Sequence, residues 1–158
     1  MKQETTYGGW NARPENPAKT YLRRYVWLKR QREAIADEIR DHYASATRCT
    51  TRMNPIRSSG GTAYDRMAED VVRIADATAR LEAVERDIDR QLEEILDLIR
   101  EITDERQKAV LTYRYVRGMG WEDIMEAMGY ERTQVYVLHG YALQEANKIL
   151  KERTKTDY

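Results

Sequence analysis

The stretch TDERQKAVLTYRYVRGMGWEDIMEAMGYERTQVYVLHGYALQEANKIL, residues 103–150, decides how this chain is read. Two glycines punctuate it into three helical pieces. Thr103 stands where a helix N-cap is expected, followed by Asp104 and Glu105 at the positive end of the helix dipole. The first piece, DERQKAVLTYRYVRG, turns Val110, Leu111 and Tyr115 inward and stops at Gly118, a left-handed C-cap by residue type. WEDIMEAM is a short helix with Ile124 and Met128 one turn apart. At Gly129 the chain must turn sharply with positive φ. The last helix, over residues 132–150, directs Val135, Leu138, Ala142 and Ile149 inward. Ile124, Met128, Gly129, Tyr130, Val135 and Leu138 thereby occupy the six positions that hold the two helices of a helix-turn-helix crossed.

Upstream, no Gly or Pro interrupts residues 62–103, which predicts a helix roughly 60 Å long at 1.5 Å per residue. Met67, Val71, Ile74, Thr78, Leu81, Ile88, Leu92, Ile95, Ile99 and Ile102 follow a 3-4 repeat with one polar gap at Glu85, the pattern of a coiled-coil seam. A second helical pattern covers residues 18–48. Tyr21, Tyr25, Leu28, Ile35, Ile39 and His42 form its stripe, Arg32 is the polar gap, and Leu22, Val26 and Trp27 widen it. Between the two, residues 49–61 contain Pro55, Ser58, Ser59, Gly60 and Gly61 and read as a loop. Thr62 is the expected cap of the next helix, with Asp65 near its positive end. Residues 1–17 read as a flexible lead broken by Gly8, Gly9, Pro14 and Pro17, and residues 151–158 as a disordered tail. The resulting fold class is all-α, a long antiparallel helical hairpin carrying a C-terminal three-helix unit.

The chain has no net charge, but its charge is unevenly spread. Residues 1–62 carry 12 basic and 6 acidic side chains, residues 63–103 carry 6 and 12, and residues 104–158 carry 9 of each. An antiparallel hairpin sets Lys19, Arg23, Arg24, Lys29, Arg30 and Arg32 opposite Glu93, Glu94, Asp97 and Glu101, a pairing that would absorb the asymmetry. The aromatic-basic run TYLRRYVWLKRQR, residues 20–32, fits that pairing, and equally a second nucleic-acid surface. Arg48, Arg52 and Arg57 in the loop have no evident acidic partners. Leu96 and Leu98 lie off the main seam, so the open end of the hairpin has apolar surface left for the C-terminal unit or a second chain.

Several function classes find no support in the residues. There is no Gly-rich phosphate loop, no Cys/His cluster, and no Ser or Cys with a base, so neither catalytic residues nor a metal or cofactor is expected. His42 and His139 are far apart and lack metal-ligand company. The single cysteine, Cys49, excludes an internal disulfide and suits a reducing compartment. No apolar run is long enough to span a membrane and the first residues have no signal-peptide core, which leads to the expectation of a cytoplasmic protein in a bacterial host cell.

The pattern DERQ…VL..RY..G..W..I...MGY...QVY.LH..AL over residues 104–150 resembles region 4 of bacterial sigma factors. The chain from about residue 18 is similar to phage and prophage proteins of Gram-positive bacteria described as sigma-like or ArpU/RinA-like late transcriptional regulators. The resemblance implies binding to double-stranded DNA near promoters, with RNA polymerase as a candidate partner and a homodimer through the hairpin as a further one. Carried over residue by residue, the reading helix starts at Arg132, and its outward positions are Arg132, Thr133, Gln134, Tyr136, Val137 and Gly140. Helices of this kind present their first two turns to base edges in the major groove. Gln134 is placed to pair with adenine, Arg132 with guanine or a phosphate, and Val137 with a thymine methyl. Arg114, Arg117 and the Trp121 indole are placed to hold the DNA backbone, and His139 stands at the family's usual His. The chain departs from the pattern at Gly120, where Ser or Thr usually caps, at Met125, where Ala is usual, and at Glu131, which replaces a Ser. With Tyr136, Val137 and Gly140 in place of Lys or Arg, the reading face is short of positive charge, so weak DNA binding without a partner is expected. Two other readings fit the same elements: a DNA-packaging adaptor like a terminase small subunit, and a coiled-coil interaction module whose C-terminal unit serves only packing.

Overall fold

The computed structural model describes residues 16–51 and 62–156. The lead through residue 15, the loop residues 52–61 with Arg52 and Arg57, and the side chains of Cys49 and Thr62 lie outside the described residues. The chain is all-α. Helix α1 is Pro17–Thr51, α2 is Thr62–Glu101, α3 is Glu105–Leu111, α4 is Trp121–Met128 and α5 is Arg132–Thr156. Two boundaries differ from expectation. Helix α1 runs through residues 49–51, and α5 continues through residues 151–156 instead of giving way to a tail. The extension of α5 has a physical anchor, because Arg153 pairs with Glu101 at the end of α2.

Helix α1 starts at Asn16, whose side chain accepts the Lys19 N–H at 3.3 Å, with Pro17 in the first turn where its missing N–H costs nothing. Helices α1 and α2 lie side by side in opposite directions. Tyr21 donates to Glu94 at 3.0 Å, Arg80 to Glu38 at 2.7 Å, and His42 meets Asp70 at 3.2 Å, so partners advance along one helix as they retreat along the other. Burial and Glu94 push the Tyr21 hydroxyl up to about 12.

The packed seam of α2 corrects half of the periodicity reading. Ile74, Leu81, Ile88, Ile95 and Ile102 face α1 or the core as expected. Their alternating partners, however, are Asp70, Ala77, Val84, Gln91 and Leu98, each buried, one residue before the positions the larger aliphatics suggested. Val71 is 54% exposed and Thr78 points to solvent; Ile99 stays buried beside Leu98. The apparent gap at Glu85 disappears because Val84 fills that layer. Asp70 sits in the seam because α1 satisfies it: the Ser45 hydroxyl, and next His42, hold its carboxyl below the usual range. A polar layer of this kind fixes register at some expense of stability.

Three of the four acidic side chains expected to face the α1 cations make other contacts. Asp97 pairs with Arg100 on its own helix, Glu101 with Arg153 of α5, and Glu94 accepts from Tyr21. Trp27 is 61% exposed and does not widen the stripe. Of the two off-seam leucines, Leu98 is fully buried and shares one core with Ile95, Ile99 and Ile102 and with Val110, Leu111, Ala142, Leu143, Ala146 and Ile149 of the C-terminal unit, whereas Leu96 is half-buried and is not part of that core. The core is thus continuous from the hairpin into that unit. No helix among the described residues is long and apolar enough to cross a membrane.

Candidate nucleic-acid interface

Asp104, not Thr103, caps α3: its carboxylate accepts the Arg106 N–H at 2.8 Å. The helix then widens. Over Thr112–Val116 the chain is π-helical, with the Arg117 N–H reaching the Thr112 carbonyl at 2.9 Å. Such single turns insert one residue into a helix and re-aim the side chains beyond it, often at functional sites. Here Tyr115 is buried and Arg114 points along the next connection, donating to the Met119 carbonyl at 2.8 Å. Gly118, with φ 70°, ends the π turn as its residue type predicted.

At α4 the capping side chain is missing because Gly120 stands there, and Asp123 compensates by accepting the Gly120 N–H at 3.2 Å. Met125 is half-buried against the core, where a smaller residue was expected. Gly129 has φ 65°; the Gly129 and Tyr130 amides close onto Glu126 and Met125 in a Schellman arrangement. Only residues 129–131 separate α4 from α5. Ile124 on one side of the turn and Val135 on the other are fully buried.

The first two turns of α5 present Arg132, Thr133, Gln134, Tyr136 and Val137 to solvent, with Val137 51% exposed. Gly140 is half-buried. Gln134 already has a task, since its side-chain oxygen accepts the Glu131 N–H at 3.0 Å as the returning half of a capping box. Pairing with adenine would require that bond to open. Arg132 lies over the Tyr136 ring at 5.7 Å.

For His139 the sequence left packing and a phosphate contact open, and in the structure it is packed. It is 8% exposed, beneath the reading face rather than on it. Its Nε2 shares a 3.0 Å hydrogen bond with the Tyr115 hydroxyl, and Trp121 meets its ring edge-on at 5.0 Å. Burial first, and then Lys19, Arg114 and Arg23, lower its pKa to about 4, so the imidazole is neutral near pH 7. Trp121 is held between the Arg114 guanidinium, 4.6 Å from its centroid, and Tyr136 at 4.7 Å. Arg117 is exposed and lies over Tyr113 at 5.3 Å. Most of the expected site residues therefore fall into two groups, an exposed row on α5 and a cluster of Arg114, Trp121, Tyr136 and His139, while Arg117 and the half-buried Gly140 belong to neither.

That cluster is one wall of a cleft of about 640 Å³. Helix α1 supplies the other wall, with Lys19, Arg23, Trp27 and Arg30. No acidic side chain among the described residues lines it. Sequence reasoning left these cations between pairing with α2 and a second nucleic-acid surface. The signal for their true position was the spacing 19, 23, 30, which is one helical face distinct from the buried stripe of Ala18, Leu22, Tyr25 and Leu28.

Residues 49–147 match a family model described as "Protein of unknown function (DUF1492)". The chain belongs to the DUF1492 family. The DUF1492 match takes in α2 through most of α5, including the α4–α5 turn and the Trp121 cluster; the α1 wall of the cleft lies outside it. No curated protein and no solved structure matches the chain. The family description carries no activity. Among the described residues no group of His, Cys, Asp or Glu is placed to hold a metal ion.

Proposed function

We propose that this DUF1492 protein binds double-stranded DNA, with α3–α5 acting as a helix-turn-helix of the sigma region 4 kind on an antiparallel hairpin formed by α1 and α2. The observation that carries this reading is the α4–α5 pair. A three-residue turn through left-handed Gly129 joins the helices, Ile124 and Val135 lock the crossing, and the first two turns of the second helix are solvent-facing. That combination leaves one helix N-terminus free to enter a major groove, with side chains of mixed chemistry at base level. The face of α4 is less hospitable, because Glu122, Asp123 and Glu126 are exposed on it. This favours the α5 and α1 side for DNA. The resemblance to sigma-like phage regulators supplies the biological setting: control of phage or prophage genes, with RNA polymerase as the candidate partner.

The test is equilibrium binding of the full chain to duplex DNA at low salt, with Thr133→Glu and Val137→Glu as variants. Both positions are exposed, so the fold should tolerate them. Placing a carboxylate at base level is expected to weaken binding roughly 10-fold or more for each change, about the size of one lost base contact. Wild-type affinity in both variants would remove α5 from the interface.

A further inference from the structure

We infer that the cleft between α1 and the α4–α5 unit is a phosphodiester-binding channel, which continues the DNA interface from the reading helix onto α1. The channel rests on the DNA-binding reading and extends it to residues outside the family match.

Four cations from two separate elements converge on the cleft: Lys19, Arg23 and Arg30 from α1, and Arg114 from the π turn. Lys19, Arg30 and Arg114 meet there with no carboxylate among the described lining residues, which makes the cleft attractive to an anion. Their nearness is also registered by His139, which feels Lys19, Arg114 and Arg23 together. A point anion would need only one or two of these groups. A cleft of about 640 Å³ lined by cations from two elements and by Trp121 and Tyr136 suits a linear polyanion with sugar rings between its charges.

Continuity argues for duplex DNA as the source of that backbone. Tyr136 belongs both to the exposed row of α5 and to the cleft wall. A duplex whose major groove receives α5 must carry its flanking strand past Tyr136, where α1 waits. Charge makes the same point. Residues 104–158 carry 9 basic and 9 acidic side chains and have no net attraction to DNA, whereas residues 1–62 carry an excess of six cations. Docking α1 against α5 brings part of that excess to the place where affinity is lacking.

The experiment measures how duplex affinity of the full chain falls with salt, for wild type and for the double variant Lys19→Gln with Arg30→Gln. Each phosphate contact contributes about 0.9 to the slope of log affinity against log salt. The double variant should lose about 2 from the slope and at least about 10-fold in affinity near 0.1 M salt, with its sequence preference intact. The pair Arg66→Gln with Arg73→Gln, exposed at the opposite end of the α1–α2 pair, serves as the charge-matched control and should keep the wild-type slope. If the double variant unfolds, Arg30→Glu alone, on an exposed position, should still lower the slope. A double variant with wild-type slope and affinity overturns the channel while leaving DNA binding by α5 in place. A wild type that binds no duplex at any salt overturns the DNA-binding reading itself, and tighter wild-type binding to single-stranded oligonucleotide than to duplex overturns the choice of ligand.

Discussion

Asn147 accepts the backbone N–H of Ala18 at 2.8 Å and donates its own amide to Asn16 at 2.8 Å, tying the start of α1 to the middle of α5. The Ala18 amide is one of the first four of its helix and has no partner within it. One side chain therefore satisfies a helix end and sets the position of α1 against α5. Asn147→Ala should destabilise the protein by about 1–3 kcal/mol, the usual cost of leaving such a group unpaired. Denaturant unfolding measures this. The same variant should bind DNA more weakly, because the cations of α1 lose their fixed position.

The corrected seam of α2 predicts opposite outcomes for neighbouring kinds of change. Ala77 is fully buried against α1, so Ala77→Leu should overpack the hairpin and cost about 1–3 kcal/mol. Val71 is mostly exposed, so Val71→Ser should stay within about 0.5 kcal/mol of wild type. Thermal unfolding of the two variants separates this register from the one in which Val71 lies in the seam, which predicts the larger loss for Val71→Ser.

His139 gives stability a specific acid dependence. Its folded pKa of about 4 lies below the ordinary 6.5, so the folded state resists a proton that the unfolded chain accepts. Above pH 6.5 both states are neutral there and the group has no effect. As pH falls from 6.5 toward 4 the unfolded state gains a proton and the native state loses relative stability, by about 2–3 kcal/mol once both values are passed. The groups facing His139 are Lys19, Arg23, Arg114 and the Tyr115 hydroxyl, with no carboxylate among them. Unfolding free energy measured from pH 7.5 to 4 should show this loss, and His139→Gln should flatten it.

Much of the fold was legible because helix formation follows local pattern. The glycines at 118 and 129, the uninterrupted α2 and the inward row of Val110, Leu111, Ile124 and Val135 all stand where residue type and spacing put them. The seam of α2 was half legible. Large aliphatics such as Val71 and Leu92 outweigh Ala77, Asp70 and Gln91 in any reading by hydrophobicity, yet the smaller and polar residues are buried because α1 approaches closely and meets Asp70 with His42 and Ser45. On the candidate site, the exposed row of α5 follows from its register after Gly129. The spacing of Lys19, Arg23 and Arg30 marks a second face of α1, but what that face meets depends on the Asn147–Ala18 contact between residues 129 positions apart. The burial of His139 was hidden for a similar reason: the π turn that brings Tyr115 over it has no residue signature.

The most direct test of the central claim is selection of bound sequences from a pool of random duplexes by the full-length protein at low salt. DNA binding through α5 predicts enrichment of a short shared motif, and predicts that Val137→Ser relaxes the preference at one thymine-bearing position while the rest of the motif persists. Recovery of no duplex above a protein-free control, or an identical motif from a variant carrying both Thr133→Glu and Val137→Glu, would contradict it.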